Sequence, residues 1–302
     1  MRALVIGASG QVGTALSQRL TERGHSVVGT HGTVAQPATI ALDLTDLAGT
    51  ERLIAEVAPD WVFCPAAFSH VDGCEERPEE ALRINRDAPG AAARAAAKHD
   101  AGFVFFSSDY VFDGAGRSYA DGAPVDPAAP YAEDDPVDPL SVYGKSKLEG
   151  ERFVRRENPR AIVIRTSVVY GPEPQGKNFV YQLLRRARAG EPMRVPVDQR
   201  STPTYNVDLA AASVELAERD FRGVIHVAGP DVLSRFDFAW LACETWEIAP
   251  TRLEPVVTAA LAQRAARPLR AGLRIDRARR LITTPLRGAR EGLRAMRAAG
   301  VG

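Results

Sequence analysis

Lysine is almost missing. The chain has 302 residues and 38 basic side chains, yet its lysines are only Lys98, Lys145, Lys147 and Lys177; the other cations are arginine. Cysteine is scarce as well. Cys64, Cys74 and Cys243 form no CxxC pair, which excludes a disulfide framework and a thiolate zinc site, and no metal is expected. No run approaches the ~20 apolar residues of a membrane span. At the start, Met1-Arg2-Ala3-Leu4-Val5-Ile6-Gly7 meets a glycine before the apolar core of a secretion signal could form. A cytoplasmic protein with no membrane partner is the expectation. Net charge is lacking too, since 38 acidic side chains balance the 38 basic ones, so no global positive field exists to steer a nucleic acid. Hydrophobic residues at 45% and charged ones at 25% are an ordinary globular balance, with ample material for a core.

Charge is nevertheless uneven along the chain. From Asp109 to Asp138 eight acids face one arginine, whereas Arg252–Arg297 holds twelve arginines and the acids Glu254, Asp276 and Glu291. The plain reading of the second stretch is a solvated helical face. The competing one is a contact for a diphosphate, or for a second copy of the chain in a homodimer.

Short β-branched runs alternate with longer helical patterns through the first half. Strands are expected at Ala3–Gly7, Ser26–Thr30, Ile40–Leu44, Trp61–Ala67, Phe103–Ser107 and Ala161–Tyr170. Helices are expected at Gln11–Arg23, Asp46–Ala58 and Tyr143–Arg156, with a long Ala-rich helix interrupted at Pro89. Continuously apolar strands separated by helices imply an α/β fold, a Rossmann-type doubly wound parallel sheet. A smaller, partly interleaved C-terminal lobe follows. Residues 1–170, with later elements at about 196–228, would bind the cofactor; 171–195 and 229–302 would bind substrate. Trp240 and Trp246 lie on a helical pattern and are expected in the core. The loop from Gly114 to Pro139 is long enough to act as a lid.

Gly7-Ala8-Ser9-Gly10-Gln11-Val12-Gly13 follows the first strand and opens the first helix. Gly7 suits the turn, Gly10 the approach of a pyrophosphate, and Gly13 the packing of helix on strand; Gln11 and Val12 begin the helix whose N–H groups would face phosphate. The acid expected about 20 residues on, which would bind a ribose 2′-hydroxyl, is missing. Thr30 and His31 end the second strand instead, which removes the bar to a 2′-phosphate and favours NADPH, with NADH admissible. Further along, Tyr143-Gly144-Lys145-Ser146-Lys147 sets a phenol and an ammonium at i, i+4 on one helix face. A cation there is expected to lower the phenol's pKa and make Tyr143 an acid/base near neutrality. Ser107-Ser108-Asp109 ends the fifth strand, where ligands bind in open α/β sheets.

These stretches, in this order, resemble the extended short-chain dehydrogenases/reductases, and within them the dTDP-4-dehydrorhamnose reductases. The likeness spans nearly the whole chain. It includes Gly7–Gly13, Ser107 through Gly114, Pro130-Tyr131-Ala132-Glu133, Pro139 through Glu151, Arg165-Thr166-Ser167 and Arg267-Pro268. It implies reduction of a ketone on a nucleotide-activated sugar. Tyr143 would donate the proton, Ser108 hold the oxygen, and Lys147 bind the nicotinamide ribose. Asp43 and Leu44 would flank the adenine, with Ala66, Ala67, Phe68 and Ser69 lining the cofactor. Ser108, Asp109, Val168, Asn178 and Arg200 would meet the substrate. Departures from the pattern are Ser108 for a threonine, Val168 for a tryptophan that contacts the sugar nucleotide, and Cys64-Pro65 for an asparagine. Two other readings share the fold. One is a sugar-nucleotide epimerase or dehydratase; a 4,6-dehydratase places Asp-Glu after the catalytic hydroxyl to eliminate water, where this chain has Asp109-Tyr110. A catalytically silent NADP-binding subunit, like the β subunit of methionine adenosyltransferase, would need no intact triad.

Overall fold

The computed structural model describes residues 1–116 and 129–301. Its first half runs β1 (Arg2–Val5), α1 (Gln11–Glu22), β2 (Ser26–His31), β3 (Thr39–Ala41), α2 (Leu47–Val57) and β4 (Trp61–Cys64). It continues through α3 (Val71–Glu76), α4 (Pro78–Leu82), α5 (Ala88–Lys98), β5 (Gly102–Ser108), α6 (Val142–Glu157) and β6 (Ala161–Thr166). Then come β7 (Val169–Tyr170), α7 (Phe179–Arg188), β8 (Met193–Pro196), β9 (Arg200–Ser201), β10 (Thr204–Tyr205) and α8 (Asn206–Glu218). The last elements are β11 (Gly223–His226), β12 (Leu233–Ser234), α9 (Arg235–Thr245), β13 (Leu253–Val256), α10 (Asp276–Leu281) and α11 (Ala289–Ala298).

Seven parallel strands form the main sheet in the order β11-β6-β5-β4-β1-β2-β3. Its centre is apolar on both faces because both are covered: every residue of β5, Gly102–Ser108, is buried. On one face Leu16, Leu20, Phe106, Ile164, Leu209 and Ile225 pack together under α1 and α8. On the other, Ile54, Ala92, Phe103, Phe105 and Val154 pack under α2, α5 and α6. A separate core of Tyr170, Leu184, Phe238, Leu293 and Met296 holds the smaller C-terminal lobe of helices and short strands. The doubly wound sheet with a smaller lobe is therefore the observed architecture.

Three expectations need correction. The strand expected over Ala161–Tyr170 breaks after Thr166: Val168 adopts φ 42°, and Val169–Tyr170 leave the sheet to pair with Thr204–Tyr205. A β-branched residue in the left-handed region is strained and persists only where its surroundings hold it. The Val168 carbonyl, which accepts from Thr204 N at 3.2 Å, supplies part of that hold. The Ala-rich helix is not interrupted at Pro89. A π-helical turn at Arg83–Asp87 runs directly into α5, absorbing the missing proline N–H. Trp240 is 43% exposed on α9, while Trp246 is buried as expected. Of the loop read as a lid, residues 117–128 lie outside the described residues. The return limb is anchored: Tyr131 stacks on Phe112 with ring centroids 4.2 Å apart and bridges to Leu273.

Several of the C-terminal arginines are paired. Arg264 pairs with Glu76, Arg267 with Asp72, Arg277 with Asp134, Arg290 with Glu244 and Arg297 with Glu247, tying the last fifty residues back onto earlier elements. Apart from the pair of the largely buried Arg267, these are exposed and contribute about 0–1 kcal/mol each, so their effect is to fix register more than to add stability.

Candidate active site

The site lies where β5 ends. Ser108 caps the short turn Asp109–Val111, its Oγ accepting from Tyr110 N at 3.2 Å. α6 begins against that turn, capped by Ser141, whose hydroxyl accepts from Gly144 N at 3.2 Å. Contact is close enough that a Cβ on Gly144 would stand 2.2 Å from the Tyr110 carbonyl oxygen. The glycine after Tyr143 thus lets the phenol reach hydrogen-bonding distance of Ser108, with the Tyr143 ring edge-on to Tyr110 at 5.5 Å.

The expected effect of Lys147 on that phenol is overturned. Burial pushes the Tyr143 phenol above its ordinary value; the Ser108 hydrogen bond opposes the rise, while Asp109, Tyr110 and Cys74 add to it. Lys147 lies one turn further along α6, buried, with Nζ 4.2 Å from the centre of the Phe105 ring. Burial pulls its ammonium down to about 8, against the pull of Cys64, Glu151 and Cys74. Tyr143 is accordingly a neutral phenol, the form that can donate a proton. Lys145 is exposed. Cys64 is buried, and burial pushes its thiol up to about 12, which makes it inert packing.

Asp109 is buried and both carboxylate oxygens are engaged. Oδ1 accepts from Ser108 Oγ at 2.8 Å and Oδ2 from Ser167 Oγ at 2.5 Å. Burial raises its pKa to about 6, opposed by Ser167, Ser108 and Arg235. Below the site Glu151 receives Arg165 in a two-point ion pair, Nε at 2.9 Å and Nη2 at 2.8 Å, together with the Ser107 hydroxyl at 2.5 Å.

Two arginines from the lobe face this turn. The side chain of Arg235, the first residue of α9, makes no hydrogen bond or ion pair with the described residues; its guanidinium sits 5.0 Å over the Phe179 ring, and Tyr110, Asp109 and Arg267 act on it electrostatically. Arg267 bonds Asp72 at 2.9 Å and reaches the Tyr110 hydroxyl, while its Nε is buried without a partner. Unspent guanidinium donors beside Asp109 and Tyr110 are what an anionic ligand would engage.

The glycine turn fits a dinucleotide. A Cβ on Gly13 would lie 2.0 Å from the Gly7 carbonyl oxygen, so helix–strand packing itself demands glycine there. At Gly10 the nearest atom would be 3.4 Å away, an ordinary van der Waals contact, so the protein's own packing does not demand glycine there. No side chain caps α1 and its first turn, Gln11-Val12-Gly13, carries no acid, leaving N–H groups and the positive helix end for phosphate. Thr30 is structural, its Oγ1 accepting from Gly7 N at 3.1 Å. His31 Nδ1 lies 2.8 Å from Thr39 Oγ1. Leu44 is buried and Asp43 is exposed, accepting from Thr45 N at 2.8 Å. After β4, Ala66 abuts Gly7, Ala67 and Ser69 are exposed, and the backbone of Phe68 is held on both sides by Asn85. From the π-turn, Asn85 also reaches Ser146 Oγ at 3.0 Å, linking the cofactor-side loop to the catalytic helix.

The other expected substrate residues are spread out. The amide of Asn178 is spent capping α7 and bonding the Gly171 carbonyl. Arg200 bonds the Val232 carbonyl at 3.4 Å, and its Nε is buried and unpartnered. Val168 packs in the lobe core. Asn85 and Arg235 were not singled out by sequence, and Ser167 and Arg267 were read only as parts of matching stretches. No spacing pattern points to any of them.

If Gly10 is glycine for the ligand's sake, Gly10→Ala should leave thermal stability almost unchanged and weaken nicotinamide-dinucleotide binding at least about tenfold, roughly 1.4 kcal/mol. Gly13→Ala should instead destabilise the fold. Melting temperature and a fluorescence titration of cofactor, measured on both variants, check the contrast.

A parallel sheet with this strand order and glycine turn, carrying a Ser–Tyr–Lys set at the carboxyl end of its strands, defines a short-chain dehydrogenase/reductase. The family model described as the RmlD substrate binding domain matches residues 1–300, and the chain belongs to that family. It is an NAD(P)H-dependent oxidoreductase. The chain is 35% identical over 302 residues to the dTDP-4-dehydrorhamnose reductase of Mycolicibacterium smegmatis, covering 100% of this chain and 86% of that one. It is 34% identical over 282 residues to a probable low-salt glycan biosynthesis reductase of Haloferax volcanii, covering 91% and 90%. Among solved structures, the dTDP-4-dehydrorhamnose reductase of Bacillus anthracis in complex with NADP superposes with a TM-score of 0.88 at 27% identity, covering 99% of both chains.

Proposed function

We propose that this protein uses NADPH to reduce a ketone on a sugar carried by a nucleoside diphosphate. The observation that carries the reading is the juxtaposition, around the turn after β5, of Ser108, the neutral Tyr143 phenol and Arg235, whose side chain is unpaired among the described residues. Ser108 hydrogen-bonds the ketone oxygen, and Tyr143 gives that oxygen its proton as negative charge develops. Arg235 and Arg267 take the diphosphate. Gly7 to Gly13 and Lys147 hold the cofactor, which supplies the hydride when bound. The preference for NADPH over NADH rests on the end of β2, where His31 stands in place of a carboxylate that would repel a 2′-phosphate.

The test is stoichiometric oxidation of NADPH in the presence of a 4-keto sugar nucleotide, set against the same reaction with NADH. Tight binding of cofactor with no ketone turned over would overturn the reading in favour of a silent binding subunit.

A further inference from the structure

Resting on the reading just given, a further role follows from the protons around Ser108. Its hydroxyl has one proton, and that proton is directed to Asp109 Oδ1 at 2.8 Å. Its oxygen accepts from Tyr110 N at 3.2 Å. In that state the Ser108 proton needed at a ketone oxygen points away from it, toward the Asp109 carboxylate.

We propose that Asp109 is a positioning residue whose protonation reverses the Ser108–Asp109 hydrogen bond and turns the Ser108 hydroxyl toward the substrate. A protonated Asp109 donates to Ser108 Oγ. Ser108, now an acceptor on that side, presents its own proton to the ketone oxygen. Ser167, anchored at the break between β6 and β7, donates to Oδ2 at 2.5 Å and favours the carboxylate. The other groups facing Asp109 are Arg235 from α9, which also favours the carboxylate, Tyr110 on its own turn and Tyr143 from α6; Arg267 and Cys74 act one step further out, on Tyr110 and Tyr143. Burial outweighs these and brings the carboxyl to about 6, within reach of ordinary assay conditions.

The sign is defined. Reduction should fall as pH rises through the Asp109 titration, by about tenfold per pH unit for a single required proton. Asp109→Asn, whose amide donates to Ser108 at every pH, should abolish that falling limb. Ser167→Ala removes a hydrogen bond that favours the ionised form, so it should move the limb to higher pH. Pre-steady-state rates of NADPH oxidation across pH 5–9 on the three proteins give the profiles, and carbon-13 NMR of labelled aspartate carboxyls gives the Asp109 titration without turnover. A limb unchanged in both variants, or an Asp109 resonance titrating in the usual carboxylate range, would overturn the proposal. Should Asp109→Asn fail to fold, the Ser167→Ala shift decides alone. A wild-type protein that binds NADPH but reduces no ketone counts against the functional reading, while the NMR titration and its shift in Ser167→Ala still decide how Asp109 is held.

Discussion

Tyr143→Phe should lower kcat by about 10²–10⁴, the usual worth of a positioned proton donor, and leave cofactor affinity nearly intact. Phenylalanine keeps the ring and its edge-on contact with Tyr110 at 5.5 Å, so folding should be unaffected. What is lost is one hydroxyl, held neutral by burial and hydrogen-bonded to Ser108. Single-turnover reduction of a 4-keto sugar nucleotide, paired with a cofactor titration of the variant, separates the two effects. Turnover within a few-fold of wild type would remove Tyr143 as the acid.

The largest effect on stability is expected at Arg165. Arg165 and Glu151 have side chains only 5% and 3% exposed, and the guanidinium also donates to the Glu133 carbonyl. Arg165→Leu leaves Glu151 ionised in the interior with only Ser107 as donor, which should cost about 3–5 kcal/mol. Replacing both, Arg165→Leu with Glu151→Leu, should recover most of that loss, because the penalty belongs to the unpaired charge more than to the missing bond. Urea denaturation checks both: the midpoint should fall in the single variant with an unchanged slope and return in the double. Because Ser107 precedes Ser108, this ion pair also holds the strand end that presents the hydroxyl proposed to bind the ketone oxygen, so the single variant should lose activity beyond its loss of folded protein.

The parts of the site that could be read early are those whose spacing is local. Gly7, Gly10 and Gly13 fall within one turn, and a Cβ test confirms Gly13 as a packing requirement. Tyr143 and Lys147 are one helical turn apart, so their shared face followed from periodicity. Their electrostatics did not: Lys147 turns under Phe105, and the phenol answers to burial instead. Position along the helix says which face a side chain takes, not which rotamer or neighbour it finds there.

The scarcity of lysine survives as an observation about Lys147, buried where a compact ammonium fits against Phe105, while the surface pairs are almost all arginine. By itself the sequence determined the alternation of strand and helix, the parallel sheet and the identity of Ser108, Tyr143 and Lys147, because hydrophobic period and short motifs are written within about twenty residues. Only the tertiary structure decided that Asp109 is shared between its neighbour Ser108 and Ser167, 58 residues further along, that Asn85 clamps Phe68, and that the Arg235 side chain stands beside Asp109 and Tyr110 with no partner among the described residues. Such contacts join side chains brought together by the crossing of strands and lobe. Hydrogen bonds across that distance leave no periodic trace in the chain, and the burial that shifts these groups exists only once the sheet has closed over them.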